Sequence, residues 1–436
     1  PTPKRHPNVG KAIGPEELFA PKRGDVRAVV ISDLNSRYGA VDYRSEVMKG
    51  VSILPQWEPD IVLCVGDMVA GQSISLTTPE VEAMWAGFDN LILKPIREAN
   101  IPYALTIGNH DASNQTYGDG SYIYTIDRDV TTRYWQTHQN ELELQNVDTG
   151  NFPYYYSFKQ NDIFYIVWDA SSANVPADQV AWADRQLGSA AAQEAKFRIA
   201  LGHLPLYAIS QGRDRNGEFL NNANQLQAVL ERHNVHTYMS GHHHAYYPGH
   251  AGNLELLHCG ALGSGPRTWL YRNDAAMQTM TVLDFFFDTG ETVYTTYNMN
   301  RMELVDTQTL PRQIVGPTGR VLRNDISLAD LTAEEQSQTH VRSDNYYSYS
   351  KPTVVVKQIP LWQIPPGVPG QPAELIPGAT VSLTIKFDGH GYCLFAVEID
   401  GDYTLSDWHP SLKAAEQKAA QLFGPKTKNW ETVGMQ

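Results

Sequence analysis

Cysteine is scarce: Cys64, Cys259 and Cys393 are the only three in 436 residues, far apart and without a CxxC. This excludes a disulfide scaffold and a cysteine zinc site, and leaves three buried or half-buried thiols as the expectation. No run of about 18 apolar residues occurs, so nothing reads as a bilayer span. Positive charge is also short, with 34 lysines and arginines against 48 aspartates and glutamates, a net charge of −14. Gripping long nucleic acid or an anionic membrane needs a basic face, so both are argued against. A small anionic substrate stays compatible where a local positive field overrides the total. Internal repeats are lacking too. The start, Pro1-Thr2-Pro3-Lys4-Arg5, has neither a signal-peptide pattern nor an initiator methionine, which reads as a processed or trimmed form. What is present suffices for a sizeable core: 42% of residues are hydrophobic and 19% charged, over a length that fits two to three domains.

Along the chain, short β-branched runs alternate with helical periodicity. Residues 1–25 read as an arm. Strands are expected at Arg27–Ser32, Ile61–Val65 and Pro102–Ile107, with helices near Ser45–Leu54 and Pro79–Ala99 between them. Residues 112–152 read as a polar insertion with a short helix near Val130–His138. Further strands are expected at Tyr154–Phe158, Ile163–Trp168, Phe197–Leu201, Val235–Met239, Leu254–Leu257, Met280–Phe287 and Thr292–Tyr297, with helices near Ala177–Ala192 and Asn222–His233. The alternation predicts an α/β (α+β) layered core. Residues 301–350 read as an irregular extension. A Pro-rich strap and a small C-terminal α+β unit fill 351–436. That unit has a hairpin across Asp388-Gly389, a second turn at Asp400-Gly401, and a helix Lys413–Phe423 stopped by Gly424-Pro425. An apolar stripe of Leu412, Ala415, Ala419 and Leu422 suits core packing.

In an α/β sheet the chemistry sits just beyond the carboxyl ends of the strands. Five such ends deliver, in order, Asp33, Asp67, Asn109-His110-Asp111, His203 and His242-His243-His244. Carboxylate, amide oxygen and imidazole are ligands for first-row divalent ions, and one bridging carboxylate lets such a set hold two. Each piece alone is ordinary; acid or histidine at five strand ends is not. His243, in the middle of its triple, is expected to point away, solvated or behind the ligands.

This order resembles the calcineurin-like metallophosphoesterase superfamily, which includes purple acid phosphatases and cyclic-nucleotide phosphodiesterases. The signature Asp-x-His, Gly-Asp, Gly-Asn-His-Asp/Glu, His, Gly-His-x-His is met by Asp33-Leu34-Asn35, Gly66-Asp67, Gly108-Asn109-His110-Asp111, Gly202-His203 and Gly241-His242-His243-His244, over roughly residues 26–300. The resemblance implies a β-sandwich core flanked by helices. It implies two divalent ions (Mn²⁺, Fe²⁺ or Zn²⁺), and hydrolysis of small phosphate mono- or diesters by in-line attack of a metal-bridging hydroxide. Position by position it puts Asp33, Asp67 and His244 on the first ion, Asp67 bridging, and Asn109, His203 and His242 on the second. His110 becomes the histidine that reaches substrate, oriented by Asp111. The first-motif histidine is Asn35 here, and Ala70 stands where purple acid phosphatases carry a tyrosine ligand, so a phenolate-bound ferric ion is not supported. Asn35 either donates an amide oxygen, tilting site one toward a harder ion, or merely hydrogen-bonds and leaves that site weak.

Arg37, Tyr38, Tyr207, Arg213 and Arg267 follow ligand-bearing segments and are candidate substrate contacts, arginine being suited to bidentate phosphate binding. The alternative class is a non-catalytic or weakly active metal-holding protein with a degenerate first site. The C-terminal unit could anchor, bind a partner, act as a lid or simply pack. Little lysine with many Tyr, Trp, Asn and Gly leans toward export to a periplasm or the cell exterior, as does the resemblance; the scattered thiols lean the other way.

Overall fold

The computed structural model describes residues 9–12, 19–272, 274–341, 351–356, 361–363, 374–376, 381–387, 392–398 and 404–423. The turns at Asp388-Gly389 and Asp400-Gly401, the Gly424-Pro425 stop, most of the Pro-rich strap and part of the N-terminal arm lie outside these residues. The chain forms two compact units. The larger comprises Pro1–Gly71, Leu76–Asn114 and Thr125–Ser343; the smaller comprises Gln72–Ser75, Gln115–Tyr124 and Asp344–Gln436.

The larger unit has mixed sheets with flanking helices, the layered α/β core that the sequence predicts. In one six-stranded sheet, Val26–Ile31, Ile61–Cys64 and Tyr103–Leu105 run parallel, and Thr279–Phe286 and Glu291–Asn298 extend it antiparallel. In a nine-stranded sheet, Ile163–Val167, Phe197–Leu201, Thr237–Ser240 and Leu254–His258 run parallel. The parallel strands are buried on both faces, which explains their apolar runs Ala-Val-Val-Ile and Ile-Val-Leu-Cys. The sheets share one core. Phe197 meets Phe285 edge-on at 5.2 Å, and the Tyr156 hydroxyl donates to the Leu105 carbonyl at 2.6 Å.

Several elements depart from the sequence reading. The helix expected at Pro79–Ala99 is Thr78–Phe88, a π turn Asp89–Leu93, then Lys94–Glu98. Pro95 has no N–H for the Leu91 carbonyl, and a wider turn absorbs the loss. The helix expected near Val130 begins at Thr125, and its early turns carry buried Arg128, which pairs with Asp169 at 3.1 Å and donates to the Ala112 carbonyl at 2.8 Å. Residues read as irregular hold a hairpin, Gln313–Gly316 with Gly319–Arg323, that joins the nine-stranded sheet through Tyr247–Ala251.

In the smaller unit, Lys351–Val356, Val381–Phe387, Tyr392–Glu398 and Thr404–His409 form a four-stranded antiparallel sheet. Helix Leu412–Phe423 buries Ala415, Ala419 and Phe423. Phe423, not Leu422, completes the i, i+4, i+8 stripe, and Ile385 and Leu394 pack on the two alanines. The loop segments belong to the same unit through Ser73 Oγ donating to Asp407 at 3.0 Å and Tyr124 donating to the Ser406 carbonyl at 3.0 Å.

Candidate metal centre

All five loops that carry the candidate ligands leave the carboxyl ends of parallel strands, three in one sheet and two in the other. They are stitched together by backbone bonds: Asp33 N–H to the Gly66 carbonyl at 3.0 Å, Leu34 N–H to that of Asp67 at 2.8 Å, and Gly241 N–H to that of His203 at 2.9 Å. Asp33, Asp67, His242 and His244 all have left-handed backbone, with φ of 51°, 55°, 62° and 53°. Such a conformation costs a non-glycine residue about 1–3 kcal/mol, and its clustering here aims four side chains at one point. Gly66, at φ 90°, allows the close approach: a Cβ there would lie 2.5 Å from His203 Nδ1.

The histidine rings show what the pocket is shaped for. His203 Nδ1 donates to the Val65 carbonyl at 2.7 Å, His244 Nδ1 to that of Gly265 at 2.8 Å, and His110 Nδ1 to that of Gly71 at 3.0 Å. His242 Nε2 lies 3.0 Å from the Glu218 carboxylate and, in the tautomer with its proton there, donates to it; Arg213 Nη1 stands 3.2 Å from the same nitrogen. The other nitrogen of each neutral ring is therefore a bare lone pair, and each faces further acceptors. His203 Nε2 is 3.0 Å from Asn109 Oδ1 and 3.3 Å from Asp67 Oδ2. His242 Nδ1 is 2.9 Å from Asn109 Oδ1, and His244 Nε2 is 3.1 Å from Asp33 Oδ1. Asp67 Oδ2 is buried without a hydrogen-bond partner. Ligand atoms of Asp33, Asp67 and His203 lie within 4.8 Å of one another. Acceptors crowding acceptors in a buried pocket need positive charge, as cations or as protons.

Without cations the pocket takes protons. Burial lowers the His203 pKa, but the charges of Asp67 and Asp33 override it and push it up to about 9. Asp67 is driven well below the carboxylate range: burial opposes this, and His203 and His110 win. His242 falls to about 3 through burial and the Arg213 charge. Cation uptake at pH 7.5 is thus expected to expel the His203 proton. Affinity should fall as pH drops below about 9 and level off above it. Calorimetry in two buffers of different ionisation enthalpy measures the release; identical heats in both would contradict it.

Other predicted residues sit as follows. His110 is 4.0 Å from Asp67 Oδ2 and packs edge-on against Tyr38 at 4.9 Å. Asp111 does not orient the His110 ring, contrary to expectation. Its carboxylate accepts the N–H groups of Asp67, Met68, Val69 and Gly108 at 2.7–3.0 Å, and so shapes the loops. The Asn35 side chain is 6% exposed and makes no hydrogen bond among the described residues; its backbone N–H donates to the Asp67 carbonyl. Tyr207 turns its hydroxyl to Gln227 at 2.6 Å, and Arg213 pairs with Glu218. Arg37 is exposed, and the Arg267 backbone N–H donates to the His244 carbonyl. His243 is fully buried, not solvated. Glu218 went unnoticed from sequence: no motif marks a carboxylate 24 residues before its partner.

A family model described as calcineurin-like phosphoesterase matches residues 26–246. No curated protein matches. Similar solved structures include GAP50, the anchor in the inner membrane complex of Plasmodium, at 14% identity and a TM-score of 0.39, covering 64% of this chain and 87% of that one. Yfce, a phosphoesterase from E. coli, is 12% identical at a TM-score of 0.28, covering 64% and 97%. Vacuolar Protein Sorting 29 from Cryptosporidium parvum is 13% identical at 0.30, covering 64% and 94%. No helix of the described residues is long and apolar enough to cross a membrane.

Proposed function

This chain belongs to the calcineurin-like phosphoesterase family, and from that premise and its donor set we propose that it is a binuclear metal-dependent hydrolase of small phosphate esters. The observation that carries the reading is the facing of bare imidazole nitrogens onto carboxylate and amide oxygens around the orphaned Asp67 Oδ2. Asp33 and His244 would hold one ion, Asn109, His203 and His242 the other, and Asp67 both. When bound, such ions supply a water of lowered pKa and positive charge against a phosphoryl group, the setting for in-line displacement.

The protein's own groups do the rest. The Val65, Gly265 and Gly71 carbonyls lock three rings in the tautomer that offers nitrogen inward. His110, the rim histidine with 17% of its side chain exposed, presents Nε2 toward the pocket. Burial holds its pKa below the usual histidine value. An approaching phosphate anion raises it, and the proton acquired at Nε2 is placed to pass to the leaving oxygen. Hydrolysis of p-nitrophenyl phosphate and bis-p-nitrophenyl phosphate is the test, with added Mn²⁺ and after chelation. Activity on either that chelation abolishes supports the reading, and their ratio separates monoesterase from diesterase. His110→Ala should keep full metal content and lose about 10²–10⁴-fold in kcat; loss of metal would refute its role.

A second reading, a metal-holding protein of little activity, draws on Asn35, whose amide makes no hydrogen bond among the described residues that would aim it at an ion. Both readings share one prediction: Asn35→His should raise zinc affinity more than manganese affinity. Titration with each ion measures this, and an unchanged preference counts against Asn35 lining the first site.

A further inference from the structure

This inference rests on the two-ion reading and concerns Glu218, a residue outside the family signature. His242 reaches the pocket through Nδ1 and is held from behind by Glu218 through Nε2, at 3.0 Å. Glu218 belongs to the irregular segment between strand Phe197–Leu201 and helix Ala223–Arg232, where no ladder or helix fixes a side chain. Two neighbours fix it instead. Arg213 pairs with its carboxylate, and Nη1 of that arginine lies 3.2 Å from His242 Nε2. His243 holds the segment's backbone. Its Nδ1 accepts the Ile209 N–H at 3.2 Å, so its Nε2 carries the proton and donates to the Glu218 carbonyl at 2.9 Å. One buried ring thereby pins both ends of a ten-residue stretch. Adjacent histidines divide the labour: His242 faces the pocket, and His243 secures the residue that orients His242.

We infer that Glu218 is a positioning residue for the ion held by Asn109, His203 and His242, fixing the tautomer and angle of the His242 ring, with His243 as the brace that keeps Glu218 in place. A carboxylate behind a metal-bound imidazole also raises its basicity, and losing such a partner typically costs about 10–100-fold in metal affinity.

The test uses the full chain stripped of metal. Mn²⁺ titration of wild type, Glu218→Ala and Glu218→Gln gives the affinity of each ion, and the melting temperature of the metal-free forms reports on folding. Glu218→Ala is expected to weaken one ion by about 10–100-fold and leave the other at wild-type affinity, with the metal-free melting temperature lowered only by the loss of Arg213's partner. Glu218→Gln keeps a carbonyl acceptor without the charge and should weaken the same ion less. Wild-type affinity for both ions in Glu218→Ala would overturn the inference. So would a lowered melting temperature with both ions lost in both variants, the mark of a merely structural role. If the alanine variant does not fold, the glutamine variant decides: weakening confined to one ion supports the inference, and weakening of neither or both overturns it. Wild type binding fewer than two ions would instead sink the two-ion reading beneath it.

Discussion

Asp67→Asn is expected to lower kcat for a phosphate ester by at least about a thousandfold, about 4 kcal/mol of transition-state stabilisation. The carboxylate is 1% exposed and its oxygens divide the work. One accepts the His110 N–H at 2.8 Å and so fixes the loop that carries Asn109 and His110. The other has no hydrogen-bond partner and faces His203 Nε2 at 3.3 Å. An asparagine can keep the first bond and put its NH₂ where the orphan oxygen stood. That group donates to the bare His203 nitrogen and fills, with a hydrogen bond, the place two cations would share. The variant should therefore fold at least as well without metal as wild type does, while failing to take up a full complement of ions. Three measurements separate this from a folding defect: kcat, Mn²⁺ bound per chain, and the metal-free melting temperature. A kcat within tenfold of wild type at full metal content would remove Asp67 from the centre of the site.

The candidate ligand set is legible because each residue comes within a few positions of the end of a strand whose apolar run is itself legible. Asp33 follows Val-Val-Ile-Ser and Asp67 follows Leu-Cys-Val-Gly, so locating the strands locates the acids. What a strand end does not encode is direction. The backbone of Asp33, Asp67, His242 and His244 is left-handed, and none of those four residues advertises it. The partners behind the histidines are equally silent, since carbonyls such as Val65 and Gly265 carry no side-chain signal. Glu218 and His243 reveal their pairing only once the segment after His203 is folded back. The missed hairpin Gln313–Arg323 has the same origin. Its strands are four and five residues long, and their burial comes from Tyr247–Ala251, some 70 residues earlier. Local pattern finds elements that bury themselves beside sequence neighbours, and it passes over those completed by distant ones.

Asp111, expected to orient the His110 ring, instead holds backbone. Its fully buried carboxylate accepts four backbone N–H groups, from Asp67, Met68, Val69 and Gly108, and so ties the loop after one strand to the loop after the next. Asp111→Ala leaves those four donors without an acceptor where water does not reach. Each buried orphan costs about 1–3 kcal/mol, partly relieved by relaxation, so a net loss of about 3–5 kcal/mol is expected. Asp111→Asn restores the volume but turns an NH₂ toward two of the four donors, and should recover less than half. The pH dependence carries a sign. Burial and the neighbouring Asp67 raise Asp111 to about 7 in the metal-free protein, above the unfolded value of about 3.9. Its protonated form is then the better accommodated one, so its contribution is full below about 4 and shrinks as pH rises through 7. Urea unfolding of metal-free wild type and Asp111→Ala at pH 5 and pH 8 measures both claims. The stability gap should be wider at pH 5, and a gap under about 1 kcal/mol at both would show that the loops are held by something other than this carboxylate.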